Sequence, residues 1–291
     1  MALLSLILLY FAIFSIKTLK GPLKLKKLKH LSEIYNDYDT FIIDLWGVMH
    51  DGIRMNSGAL EVIENLYISK KRIVFLSNAP RPSENVRLFL RKLNMDEKFL
   101  NNIITSGEAA IKSLRTKKFG EKFFHLGPQR DTSLFKGLEK NKTKLNNCDF
   151  ILCTGLFDEH KDLNFYFKLL ENNTKKKLVC TNPDLLVHKG IQSEYCAGKI
   201  AEIFNSLGGE VVYFGKPHNE VYNLILKKNE KNLVIGDNLK TDIKGANNLG
   251  LDSLFVTNGV HRSEFKEESN LDELLNNYNV KTQFFQKELN W

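Results

Sequence analysis

The chain has 291 residues, 43% of them apolar and 26% charged, with 18 glycines and six prolines. This composition is ordinary for a folded chain and excludes a disordered tail protein, a collagen-like repeat and a polytopic membrane protein; the length allows one large domain or two smaller ones. The formal net charge of +8 is concentrated early, because Lys17, Lys20, Lys24, Lys26, Lys27 and Lys29 all precede the first acid, Glu33, so the body is close to neutral and has no basic stripe of the kind that binds nucleic acid.

In chain order, the first feature is Ala2–Ile16, apolar apart from Ser5 and Ser15 and followed by the lysine cluster. As a helix it spans roughly 22 Å, short of the about 30 Å of a bilayer core. It lacks a basic n-region and a small-residue cleavage site. Three readings stay open: a membrane anchor or surface-associating segment, an extension outside the fold, or a cleaved signal. In the first two the body faces the cytosol, and the expected location is cytoplasmic, with membrane association through Ala2–Ile16 left open.

From residue 40 the pattern alternates short β-rich runs with amphipathic ones. Strands are predicted at Thr40–Trp46, Arg72–Ser77, Lys122–Leu126, Asp149–Cys153, Leu178–Thr181, Glu210–Phe214, Asn232–Gly236 and Asp252–Thr257. Helices are predicted at Ala59–Ile68, Asn85–Leu93, Phe165–Glu171, Cys196–Leu207, Glu220–Lys228 and Asp242–Leu249. The alternation indicates an α/β fold with a parallel sheet. Phe41-Ile42-Ile43 and Leu233-Val234-Ile235 are apolar without alternation, as in central strands buried on both faces. The four cysteines, Cys148, Cys153, Cys180 and Cys196, form no C-x-x-C pair and are too few for a disulfide scaffold, so they read as reduced, mostly buried thiols.

Ligands of an open parallel sheet bind beyond the carboxyl ends of its strands. There the chain places Asp44 and Trp46 after the first apolar strand, Ser77 and Asn78 after the second, Lys216 after Phe214-Gly215, and Asp237 with Asp242 after Val234-Ile235-Gly236. Three carboxylates at one sheet edge repel unless a hard divalent cation is shared, and Mg²⁺ would also bind a phosphate. With Lys216 as a second positive charge and Ser77 as a hydroxyl donor, the set reads as a phosphoryl-transfer site with Asp44 as covalent nucleophile. Each element alone is an ordinary turn or cap; four in this order, each ending a strand, are not.

These residues resemble the four motifs of the haloacid dehalogenase superfamily: Asp44-x-Trp46-Gly47-Val48, Ser77-Asn78, Gly215-Lys216-Pro217 and Gly236-Asp237-Asn238-x-x-x-Asp242. The insertion of about 140 residues between Ser77 and Lys216, carrying Thr181-Asn182-Pro183-Asp184, is similar to the α/β cap of class IIA, the nitrophenylphosphatase-like and nucleotide-phosphatase-like members. The resemblance covers about residues 30–290. It implies a core of 30–115 and 206–291, a cap of 116–205 and an extension of 1–29. It also implies an Mg²⁺-dependent hydrolase of small phosphorylated metabolites. Asp44 would form an aspartyl-phosphate, Ser77 and Asn78 would meet the phosphoryl group, and Lys216 would neutralise it. Mg²⁺ would be held by Asp44, the Trp46 carbonyl, Asp237 and Asp242. Asn182 and Asp184 would approach the leaving group, with Thr181 a weaker candidate. Homo-oligomer formation is left open.

One position departs from the family pattern. The general acid/base Asp, two residues after the nucleophile, is Trp46 here, and an indole cannot protonate a leaving oxygen. His50 and Asp51 are nearby substitutes, although Asp51-Gly52 reads as a turn. A catalytically reduced protein that binds a phosphorylated ligand or a partner is the alternative reading. Among the remaining features, His218 fits either the site or a helix start, Arg81 fits either an anionic substrate or a solvated loop, and Phe284-Phe285 reads as packing.

Overall fold

The structure, a computed structural model, describes residues 25–189 and 192–291. Its strands in chain order are β1 (Lys26–Lys27), β2 (Thr40–Ile43), β3 (Arg72–Ser77), β4 (Ile103–Thr105), β5 (Phe123–Leu126), β6 (Phe150–Cys153), β7 (Lys177–Cys180), β8 (Leu186–Lys189), β9 (Gln192–Tyr195), β10 (Glu210–Tyr213), β11 (Asn232–Gly236), β12 (Asp252–Val256) and β13 (Phe284–Gln286). A seven-stranded parallel sheet runs in the order β1-β13-β12-β11-β2-β3-β4, and a second parallel sheet in the order β10-β7-β6-β5. β8 and β9 form an antiparallel hairpin.

The first sheet is apolar on both faces, because alternate residues of one strand point to opposite sides. Phe41 and Ile43 of β2 join Val62, Ile63 and Leu66 of the helix Ser57–Ile68 on one side. Ile42 faces Val221, Tyr222 and Ala246 on the other. The helix Ser57–Ile68 starts where Asn56 accepts a bond from the Gly58 N–H at 3.0 Å, and the helix Ser106–Arg115 where Thr105 accepts one from Glu108 at 3.0 Å. In the second sheet, Leu178 and Cys180 pack under the helices Leu163–Leu170 and Ala197–Ser206.

The second sheet and its packing draw in residues on both sides of 116–205. β10 was expected in the core, yet it pairs with β7 from Glu210↔Lys177 to Tyr213↔Cys180. At the other end, Ala110 and Leu114 of Ser106–Arg115 pack with Phe123, Phe150 and Val179. A short apolar strand carries no mark of which sheet it joins, since its partner is distant in sequence. The predicted helix Glu220–Lys228 is confined to Asn219–Tyr222, after which the chain turns into β11. Ala2–Ile16 lies outside the described residues, among which no helix is long and apolar enough to cross a membrane.

Candidate active site

Strand register brings the motifs together. Ile43 pairs with Ile235 on one side and with Phe75 on the other. The residues just past that level are Asp44 beyond β2, Ser77 at the end of β3 and Asp237 beyond β11, at the same edge of the sheet. The Asp44 N–H donates to the Ile235 carbonyl at 2.9 Å and so extends the ladder by one residue into the site. Carboxylate oxygens of Asp44, Asp237 and Asp242 lie within 4.8 Å of one another, and all three side chains are buried.

Lys216 is the cation among them. Its Nζ donates to Asp242 Oδ1 at 2.7 Å and also to Asp44 Oδ1. Burial opposes its charge, but Asp242, Asp44 and Asp184 outweigh that and hold the ammonium well above the usual lysine range. One ammonium does not balance three carboxylates. Burial pushes Asp44 up to about 8 against the pull of Lys216, with Asp242 adding to the rise. Burial, then Asp44 and Asp242, push Asp237 well above the carboxylate range. A buried cluster of this kind takes up protons or a hard cation, and carboxylate oxygens suit a divalent ion such as Mg²⁺.

Close backbone approach fixes Asp237. Its Oδ2 accepts the Val260 N–H at 2.6 Å. Gly47 (φ +87°) and Gly259 crowd the same carboxylate so closely that a Cβ on either would come within 2.1 Å and 2.0 Å of Oδ2. Asp242 lies in a π-helical turn, Leu239–Ile243, and its Oδ2 accepts the Asn238 N–H at 3.2 Å.

The Asn78 side chain, which lines the cavity, is bonded within the protein. Oδ1 accepts the Lys216 N–H at 2.8 Å, while Nδ2 faces the Lys216 carbonyl at 3.2 Å and Asp184 Oδ1 at 3.1 Å. Asn78 therefore braces the lysine loop against the cap. Asn238, whose side chain the sequence reading did not single out, donates to the same Asp184 oxygen at 3.2 Å. Asn182 Oδ1 accepts the Asp184 N–H at 3.1 Å. Burial raises the Asp184 carboxyl, with Lys216 pulling against it. The buried Thr181 sends its hydroxyl to the Cys153 carbonyl at 3.2 Å. Ser77 Oγ accepts the Ala79 N–H at 3.2 Å, which leaves its proton to donate.

Trp46 packs edge-on to His50 and parallel to Phe89, and its Nε1–H donates to the His188 carbonyl in the cap hairpin at 2.7 Å. His50 is buried, its Nδ1 accepts the Gly52 N–H at 3.1 Å, and burial lowers it to about 4, so it is a neutral imidazole. Asp51 Oδ1 accepts the Ile53 and Arg54 N–H groups at 2.9 Å, as a turn former does. His218 precedes the helix Asn219–Tyr222 and stacks on Tyr213.

Asp44, Trp46, Ser77, Asn78, Asn182, Asp184, Lys216, Asp237 and Asp242 all line one cavity of about 880 Å³. Arg81 lines it too, paired with Asp131 at 3.0 Å. Its remaining wall includes Arg130, Lys161, His188 and Tyr195 of the inserted unit, none of which carries a sequence signal.

The haloacid dehalogenase-like hydrolase family model matches residues 41–140, and a second, HAD-hydrolase-like, matches 213–279. An acid sugar phosphatase of Staphylococcus haemolyticus is 26% identical over 234 residues, 77% of this chain and 87% of that protein. A haloacid dehalogenase-like hydrolase from Brucella suis superposes with a TM-score of 0.77 at 25% identity, covering 90% of this chain and 99% of that one. A 4-nitrophenylphosphatase from Thermotoga maritima superposes at 0.66 and 25% identity, covering 88% and 96%. With four motifs on one sheet edge, an α/β unit inserted between the second and third, and models matching on both sides of that insertion, the chain belongs to the haloacid dehalogenase-like hydrolases.

Proposed function

We propose that the protein is an Mg²⁺-dependent phosphatase that hydrolyses a small phosphorylated metabolite through an aspartyl-phosphate on Asp44. The observation that carries this reading is the set of three buried carboxylates within 4.8 Å, paired with a single buried lysine. Asp44, Asp237, Asp242 and the Trp46 carbonyl are the groups to hold Mg²⁺, which would supply charge neutralisation for carboxylates and phosphate alike. A carboxylate oxygen of Asp44 attacks phosphorus as the bond from phosphorus to the leaving oxygen breaks. Ser77 donates its hydroxyl proton to a phosphoryl oxygen, and Lys216 balances the charge that collects there. The departing oxygen leaves as its anion on the side of Asn182 and Asp184 and takes its proton from solvent. Water then attacks the same phosphorus and frees phosphate and the Asp44 carboxylate.

Trp46 supplies no acid for that departure. General acid–base help is worth ~10²–10⁴-fold, so esters with good leaving groups are the favoured substrates and alkyl esters the slow ones. The same residue favours a second reading, a protein that binds a phosphorylated ligand with little turnover. Four free, buried cysteines accord with a cytoplasmic, reducing location.

A panel of phosphorylated metabolites and nitrophenyl phosphate, assayed with and without Mg²⁺, tests the proposal. Metal-dependent release of phosphate, abolished in Asp44→Asn, is expected. Tight binding of a panel member with no release supports the second reading.

A further inference from the structure

We propose that Trp46 is a positioning residue that latches the cap hairpin β8–β9 onto the catalytic floor, and that this latch limits the size of the leaving group admitted. The proposal rests on the phosphatase reading only for what the latch selects; the latch itself rests on geometry.

The indole ring is held in a slot. Phe89 lies parallel to it at 6.5 Å between centroids and 6°, and His50 meets it edge-on at 5.1 Å. Gly52 packs so close that a Cβ there would lie 2.7 Å from indole Cζ2. A ring gripped on these sides has one polar group, and its N–H leaves the slot to meet the His188 carbonyl at 2.7 Å.

His188 is held a second time through its side chain. Nε2 faces the Val260 carbonyl at 3.3 Å, and Nδ1 faces Ser193 Oγ at 2.9 Å. A carbonyl only accepts, so Nε2 carries the proton and Nδ1 accepts from Ser193. Val260 is the residue whose N–H holds Asp237 at 2.6 Å. One hairpin residue is thereby tied both to the segment following Asp44 and to the loop that clamps Asp237.

Among the described residues of the hairpin, β8 is half-buried at Leu186, Val187 and His188. β9 is exposed along its length, and among the described residues the two-stranded hairpin pairs with neither larger sheet. Yet Leu186, Val187, His188, Ser193, Glu194 and Tyr195 form one wall of the cavity. Two-stranded hairpins are marginal alone, so the wall stands where the two bonds to His188 put it. Position 46, where the family places its acid, instead sets the space above the phosphate.

The test is hydrogen exchange followed by mass spectrometry on the full chain, comparing wild type with Trp46→Phe, which keeps an aromatic ring, smaller than indole, and loses the N–H. Exchange in segment 186–195 should rise about fivefold, the effect of one lost neutral hydrogen bond, with β2 and β11 unchanged. Trp46→Met, which also lacks the N–H, should raise exchange in the same segment, and it carries the test if Trp46→Phe does not fold. In both variants the ratio of kcat/KM for nitrophenyl phosphate to that for glycerol phosphate should rise by about threefold or more, because the larger ester gains most from a looser wall. Faster exchange confined to residues 48–56, with the hairpin unaltered, would make Trp46 packing only and overturn the latch. A looser hairpin with an unchanged ratio would overturn its role in selection. Loss of phosphatase activity from wild type itself would count against the phosphatase reading and leave the exchange result standing.

Discussion

The two units that enclose the cavity are built on different terms. In the core, the central strands β2 and β11 are buried at every residue, and Asp44 and Asp237 extend directly from their ends. Their positions follow from strand register and change only if the sheet does. In the inserted unit, the residues facing the cavity come from loops, from the 3-10 helix Gln129–Phe135 and from a hairpin with an exposed second strand. The proposed function therefore puts the chemistry on the rigid side and selection on the side with fewer constraints. The same contrast separates what reacts from what chooses in enzymes whose functional loops ride on a stable scaffold.

The largest expected effect breaks the chemistry and spares the fold. Asp44→Asn removes the nucleophile but leaves Lys216 bonded to Asp242 at 2.7 Å. Turnover should fall by roughly 10⁴-fold or more, with melting temperature near wild type. If phosphate release persists, Asp44 is not the nucleophile. Lys216→Met strikes the fold of the same floor. It strands two buried carboxylates, and without added metal it should lower unfolding free energy by roughly 3–5 kcal/mol in denaturant titrations. Added Mg²⁺ should recover part of the loss. An equally stable metal-free variant would mean that the Lys216 ammonium is not what holds this floor together.

Asp237→Asn tests the metal alone. Calorimetric Mg²⁺ affinity should drop by at least ~100-fold, beyond the 10–100-fold that outer-shell changes produce. Equal affinity in the two proteins would remove Asp237 from the ligand set.

Much of the core side of this comparison is readable from sequence. β3 and β11 have the bounds that their apolar runs predict, and each motif falls where its strand stops. The inserted unit is less readable for identifiable reasons. Leu186–Lys189 and Gln192–Tyr195 are short and largely polar, so the hairpin carries no burial pattern. Glu210–Tyr213 has the same character as a core strand, and only its distant partner β7 assigns it to the other sheet. The engagement of Asn78 with Lys216 and Asp184 joins residues more than 100 positions apart and has no local trace. Trp46 reads as a missing acid in the sequence and as a bond to the cap in the structure.

The smallest expected effect separates the units by pH. In the second sheet, burial lowers His125 to about 4 from 6.5, and its Nε2 meets Thr154 Oγ1 at 2.9 Å. The unfolded chain binds this proton first, so the stability tied to the neutral ring is complete above pH 6.5 and declines as the pH falls toward 4. His125→Gln keeps a polar group at Thr154 and cannot titrate. Thermal melts across that window should show a shallower acid decline for the variant, by about 1–2 kcal/mol at the acid end. Parallel curves would mean that the ring gains its proton without loss of structure.

The central claim is that phosphorus passes through a covalent bond to Asp44. Wild-type protein mixed with Mg²⁺ and nitrophenyl phosphate, quenched in acid and reduced with borohydride, should yield a peptide in which Asp44 has become homoserine, the reduction product of an acyl phosphate. The absence of an acid at Trp46 should favour accumulation of the intermediate. The modified peptide should be missing without Mg²⁺. Steady hydrolysis with an unmodified Asp44 peptide at every quench time, and the same hydrolysis in Asp44→Asn, would contradict the account.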